Sequence, residues 1–256
     1  MNTHPNRHWL NKKLIGKRIK VLVVGAGGTG SHIVTDLAVL HQTMLDLGHA
    51  HGLDVTVMDF DDVSEANVGR ARFYASDVGQ NKAHVLVNRI NMCYGYDFDA
   101  VEYGVSDYRN DFGTDLVIGC VDTRKSRREI WSKFEGRNCY WMDIGNGAYD
   151  GQVILGQCSA SNDATRLPTV IDLYPEILDE SLDPKDDGPS CSRREALQKQ
   201  SAFVNKTGAL HAINMLSNLF REGHLDHHVN FFNVKNGKSS VLPCDPEVWK
   251  RFGYAP

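Results

Sequence analysis

A chain of 256 residues, 41% hydrophobic and 23% charged, can bury a sizeable core and belongs among ordinary globular proteins, which excludes collagen-like, disordered and disulfide-held miniprotein classes. Its 28 Lys and Arg against 32 Asp and Glu leave a formal charge of −4, so bulk electrostatic attachment to nucleic acid is not expected. No apolar run approaches the roughly 18 to 20 residues that span a bilayer, and the opening MNTHPNRHWLNKKL is too polar for a signal peptide, so a soluble, cytoplasmic protein without a membrane partner is expected. Cys93, Cys120, Cys139, Cys158, Cys191 and Cys244 form no CxxC pair, which suggests reduced thiols and neither a disulfide framework nor a structural zinc.

After a polar arm (1–18), the β-branched run Ile19–Val24 ends at Gly25, as a buried parallel strand should. Ile33, Leu37, Leu40 and Met44 then recur at helical spacing between Ser31 and about Leu47. Val55, Val57 and Met58 predict a second strand ending at Asp59, and Ala83, Leu86, Val87 and Ile90 predict a helix from Gln80 to about Met92. Leu116–Val121 reads as another buried strand, followed by strands at Tyr140–Ile144 and Gln152–Gln157. Residues 159–191 carry little periodicity and four prolines, which suggests a crossover loop or lid. Ser192-Arg193-Arg194-Glu195 reads as a capping box opening a long helix to about Arg221. A C-terminal extension (223–256) adds a strand at Val229–Val234, an Asn236-Gly237 turn, a partner strand near Ser239–Leu242 and a short helix after Pro246. No linker or repeat divides the chain, so one domain over residues 1–256 is expected. Its class is α/β, a Rossmann-like doubly wound and mainly parallel sheet with a C-terminal helix and hairpin extension.

The chemistry concentrates at strand ends. Gly25-Ala26-Gly27-Gly28-Thr29-Gly30 joins the first strand to the first helix, where glycines permit a tight turn and helix amides face a phosphate. Asp59 stands where a carboxylate takes a ribose hydroxyl. These two features alone fit NAD as well as ATP. The residues beyond Asp59 favour a triphosphate: Asp61, Asn67 and Arg70 in one segment, Lys82 at a helix start, and Asp122 past a later strand. Cations clamp phosphates and a carboxylate holds their magnesium, a set that hydride transfer does not need. Arg70, Lys82, Arg72 and Arg127 are the positive charges expected around one triphosphate.

At these residues the sequence resembles a known family. GxGGxGS at Gly25–Ser31, DxD at Asp59 and Asp61, NxxR at Asn67 and Arg70, GxxK at Gly79 and Lys82, and Asp122 with Arg127 look like the ThiF/MoeB/HesA group of ubiquitin-activating-enzyme-like adenylyltransferases. The resemblance runs from about residue 15 to residue 222. The tail, with Asp226-His227-His228, is similar to the ThiF-family member of the bacterial PRTRC gene system.

The resemblance implies that Gly25, Gly27, Gly28 and Gly30 line ATP and Asp59 binds the ribose. It implies further that Asn67 and Arg70 contact the phosphates, Lys82 neutralises them and Asp122 organises Mg²⁺. It implies activation of the C-terminal carboxylate of a small ubiquitin-like protein ending in glycine, by a homodimer in which Arg7 of one arm reaches the other subunit's ATP. Two departures from the family pattern stand out: Arg70-Ala71 in place of Arg-Gln, and Asp122-Thr123 in place of Asp-Asn.

Cys191 matches the position of a covalent thiol in some relatives. Its place before a helix cap, beside Arg193 and Arg194, favours a thiolate able to accept an acyl group. A cysteine that merely ends a loop is the equal alternative. Cys120 and Cys139 read as core residues. His224, His227 and His228 have ligand-like spacing but no cage of cysteines or carboxylates around them, and His49 and His51 read as loop residues. Three functions remain open: carboxylate adenylation, NAD-dependent oxidoreduction, and a non-catalytic subunit that binds a partner's tail.

Overall fold

The computed structural model describes residues 7–109, 113–160, 165–182 and 200–254. Eight strands form one sheet: Ile19–Val24 (β2), Leu53–Met58 (β3), Asp99–Val101 (β4), Leu116–Gly119 (β5), Tyr140–Asn146 (β6), Asp150–Gln157 (β7), His227–Asn233 (β9) and Lys238–Pro243 (β10). Their spatial order is β10-β9-β7-β6-β5-β2-β3-β4. The pairs from β6 through β5, β2 and β3 to β4 are parallel, whereas β6–β7, β7–β9 and β9–β10 are antiparallel. Two further short strands, His8–Trp9 (β1) and His224–Leu225 (β8), pair with each other.

The parallel half follows from βαβ handedness. β2 passes through Gly28–Asp46 (α1) to β3, and β3 through Lys82–Tyr94 (α2) to β4, each step moving the same way across the sheet. From β5 the chain runs through Arg124–Phe134 (α3) to β6 in the opposite direction, so right-handed crossovers put α3 on the other face. Strand order therefore reverses between β2 and β5, and a ligand crevice forms outside their carboxyl ends. Val204–Glu222 (α5) packs along α1 and against β6 and β7. One apolar core runs from Leu10 and Leu14 through the strands to Trp249.

Several expectations need correction. The final long helix starts at Val204, after a bend and turn at Gln200–Phe203, and not at Ser192. The expected capping box and Cys191 lie outside the described residues. The segment expected to be an irregular loop includes a short helix, Val170–Leu173 (α4), with Leu167, Val170, Ile171 and Leu173 buried. It is pinned by the ion pair of Arg166 with Asp172, 3.0 Å apart. α3 and β4 escaped the sequence reading. α3 is mostly charged and buries only Arg127, Ile130 and Phe134, while β4 has three residues, of which Asp99 is exposed.

The arm also differs from a free polar tail. His8 is buried, with its Nε2 2.8 Å from the Tyr140 hydroxyl, and Arg7 donates to Asp226 of its own chain at 2.7 Å. His228, expected in a polar stretch, is fully buried in β9 with Nδ1 3.0 Å from the Leu155 carbonyl. Pro246–Trp249 forms the expected short helix (α6).

Candidate nucleotide site

The glycine turn leaves β2 at the point where strand order reverses. Its four glycines have different reasons to be there. Gly25 adopts φ +91°, and a Cβ on it would stand 2.7 Å from the Cys120 carbonyl; a Cβ on Gly30 would stand 1.9 Å from the Gly25 carbonyl. These two are required by chain packing. Gly28 lies under the Asn205 carboxamide, which a Cβ would meet at 2.5 Å. Gly27 alone has open space on its Cβ side, and it is the N-cap of α1 with no side chain capping the helix amides. The face left open is the one from which an anionic group can reach unpaired donors and the positive end of the helix dipole.

Asp59 stands just past β3, and its carboxylate accepts from the Ala26 N–H at 2.6 Å and the Asp61 N–H at 2.9 Å. It thus clamps the glycine turn while keeping acceptor capacity for a hydroxyl. Burial raises its pKa, against Lys82 and the two amide bonds. Lys82 is the first residue of α2, whose N-cap Asn81 accepts from the Ala83 and His84 amides. Its ammonium meets Asp61 at 2.8 Å, so a phosphate arriving there competes with a carboxylate for it. Asn67 closes a 3₁₀ turn, its carboxamide oxygen accepting from the Ser64 N–H and hydroxyl, which leaves the NH₂ as its donating end.

Arg70 is held from both sides of its loop. Ser31 Oγ accepts from the Arg72 N–H at 3.1 Å, and Arg89 donates to the Arg72 carbonyl at 2.8 Å. Ala71 and Phe73 are buried beneath it. Among the described residues the guanidinium reaches only a neutral acceptor, Gln200 Oε1 at 3.4 Å, and its buried Nε has no partner. Burial lowers its pKa accordingly. Arg72 Nε and His32 Nδ1 are likewise buried without partners, and burial followed by the charges of Arg72 and Lys206 pushes His32 down to about 4.

Arg127 does not join this group. It is buried and bonded through Nε to the equally buried Asp143 at 2.9 Å, so its charge is spent inside the protein. The expectation that Arg127 faces the triphosphate is therefore corrected. Asp122 is exposed at the carboxyl end of β5. Among the described residues, no group of three or more His, Cys, Asp or Glu could hold a metal ion. Burial and the neighbouring Asp143 push the Cys120 thiol up, as befits a packing residue.

A network that sequence reasoning missed covers the turn. Asn205, at the start of α5, accepts from Thr29 Oγ1 at 3.1 Å and Asn146 Nδ2 at 2.6 Å and donates to Gln200 Oε1 at 3.2 Å. Its members come from three separate parts of the chain, around residues 29, 146 and 200–205, and no motif spacing links them. A cavity of about 360 Å³ opens at the opposite, amino ends of β5 and β6, lined by Lys13, Lys17, Asp115, Arg137 and Cys139 among others. It contains none of the residues named from the sequence motifs.

The ThiF family matches residues 12–248, most of the chain. The protein belongs to the ThiF family. Solved structures with a similar fold include PaaA, at 15% identity and TM-score 0.63, covering 90% of this chain and 74% of that one. E. coli MccB is similar both with ATP (15% identity, TM-score 0.60, 90% of this chain and 65% of that one) and with succinimide (14%, 0.60, 89% and 63%). The chain thus spans a little under two thirds of MccB. No curated protein matches this ThiF-family sequence. No helix among the described residues is long and apolar enough to cross a membrane.

Proposed function

We propose that this ThiF-family protein adenylates a carboxylate with ATP, and that the carboxylate is the C-terminus of a small ubiquitin-like protein ending in glycine. The observation that carries the reading is the open, uncapped helix N-terminus at Gly27, near a half-buried arginine with no anionic partner among the described residues. Through Gln200 and Asn205, Arg70 lies two hydrogen bonds from the side chain that covers Gly28. Helix amides, Arg70, Lys82 and the Asn67 amide offer a concentrated set of donors, and Asp59 retains acceptor sites for a ribose.

The chemistry asked of these residues is positioning and charge neutralisation. A carboxylate oxygen attacks the α-phosphorus, an acyl-adenylate forms and pyrophosphate leaves. Arg70 and the helix amides hold the phosphate oxygens as negative charge moves toward the leaving group, and Lys82 exchanges Asp61 for that charge. Asp122 would hold Mg²⁺ by a single carboxylate, the metal supplying further neutralisation of the phosphates; one protein carboxylate plus phosphates suits that ion. In this reading the acyl group passes to the Cys191 thiolate with release of AMP, the protein works as a homodimer, and it belongs to a PRTRC system.

The departures at Ala71 and Thr123 do not weigh toward a non-catalytic subunit. Ala71 is buried, and Thr123 caps α3 by accepting from the Ser126 N–H at 3.1 Å. ATP–pyrophosphate exchange that depends on a glycine-ending partner and is lost in Asp122→Ala is the expected result. Thermal stabilisation by NAD and not by Mg-ATP would overturn the reading. A Cys191→Ala protein should keep exchange and lose any thiol-sensitive adduct with the partner.

A further inference from the structure

Gln200 belongs to none of the sequence motifs, yet its side chain touches a guanidinium that has no anionic partner among the described residues. Its Nε2 donates to the Gly147 carbonyl at 3.1 Å, and its Oε1 accepts from Asn205 Nδ2 at 3.2 Å. Asn205 is itself immobilised, 3% exposed and bonded to Thr29 and Asn146. Gln200 Oε1 is therefore held in place by groups other than Arg70. Its bond to Arg70 Nη1 is the longest of the three, at 3.4 Å.

Arg70 has the opposite circumstances. Its loop is fixed by Ser31 and Arg89, but its guanidinium is half-buried with an orphaned Nε and, among the described residues, a neutral amide oxygen as its one hydrogen-bond partner. A neutral acceptor at the edge of bonding distance complements a guanidinium weakly; an anionic oxygen bonds it about twice as strongly and can engage two donors. We propose that Gln200 is an exchangeable placeholder, its Oε1 occupying Arg70 until a phosphate oxygen of the nucleotide takes the guanidinium over. Gln200 then sets nucleotide affinity by competition and not by contact with the ligand. It is a positioning residue that keeps Arg70 at the site in the empty protein and yields it on binding.

The placeholder role rests on the nucleotide reading above and predicts effects of opposite sign. In the full-length protein, calorimetric Kd values for ATP and for adenosine are compared in wild type, Gln200→Ala and Gln200→Glu. Removing the competing acceptor should tighten ATP about fivefold. A carboxylate at 200 pairs with Arg70 and should weaken ATP about tenfold or more. Adenosine, which lacks phosphates, should bind all three alike. Gln200→Met, of similar length without the acceptor, should behave as Gln200→Ala, which guards against a folding defect in the alanine variant. If both Ala and Glu weaken ATP in parallel, or neither changes it, the placeholder role is overturned while the site stands. If wild type binds no ATP, both readings fall.

Discussion

Two corners at the carboxyl edge of the sheet each present an arginine, and they treat it in opposite ways. At the β5–α3 corner, Arg127 is buried against the Asp143 carboxylate, and the pair is closed to ligands. In the Arg70 loop, the backbone is gripped as firmly, but among the described residues the guanidinium finds only an amide oxygen. The difference teaches that a motif arginine becomes a receptor for anions where the fold withholds a counter-charge. A buried ion pair spends charge on structure, and an uncompensated cation stores it for a ligand.

The largest expected effect tests that division directly. Arg127→Ala strands a buried carboxylate and should cost roughly 3–5 kcal/mol in denaturant unfolding. Arg70→Ala should stay within about 1 kcal/mol of wild type while nucleotide affinity is lost. A stable Arg127→Ala protein, or an unfolded Arg70→Ala one, breaks the comparison.

Acid should separate the corners by sign. His32 titrates at about 4 in the folded protein, below its ordinary 6.5, because burial and then Arg72 and Lys206 disfavour its charged form. The unfolded chain therefore takes the proton first, and stability contributed by neutral His32 is lost as pH falls from about 6.5 to about 4, by roughly 3 kcal/mol at most. At Asp143 burial raises the carboxyl, so that corner gains relative stability as pH falls toward the ordinary carboxylate range. A Gln at position 32, introduced as His32→Gln, should flatten the fall in Tm between pH 6.5 and 4; an unchanged slope would show that His32 is not its source.

The glycine turn lies between the two corners and should divide as they do. Gly30→Ala forces a Cβ into the Gly25 carbonyl and toward Cys120, for a loss of about 2 kcal/mol or more. Gly27→Ala meets nothing, so stability should hold within about 1 kcal/mol while ATP binding weakens. The smallest effect is expected from Ser31→Ala, which loses the bond accepted from the Arg72 amide and the one donated to the Gly28 carbonyl: about 1 kcal/mol in stability, with a raised KM for ATP and a nearly unchanged kcat. Equal falls in kcat would assign Ser31 a part in the chemistry itself.

What could be read from the sequence was whatever local pattern dictates. β2, the glycine turn, Asp59 at the end of β3 and Lys82 at the start of α2 carry periodicity, φ requirements or caps within a few residues. α3 was hidden because Arg-Lys-Ser-Arg-Arg-Glu leaves too few apolar positions to mark a face. The antiparallel half was legible as strands but not as an arrangement, since register there depends on pairing between segments about 80 residues apart, such as Ile154 with Val229. The fate of Arg127 could not be read, because its counter-charge lies across α3 on β6 and nothing in the spacing of Asp143 announces it. Asn146, Gln200 and Asn205 stayed invisible for the same reason: each is an ordinary amide until the fold brings them over Gly28.

The pairing of β1 with β8 is reinforced by Arg7 and Asp226, which stand 219 positions apart. Closing so long a loop costs entropy that only the finished sheet can offset, which makes this clasp a late event in folding. During synthesis His8 leaves the ribosome long before Leu225 exists to receive it. The arm must wait, and its docking reports that everything between has been built.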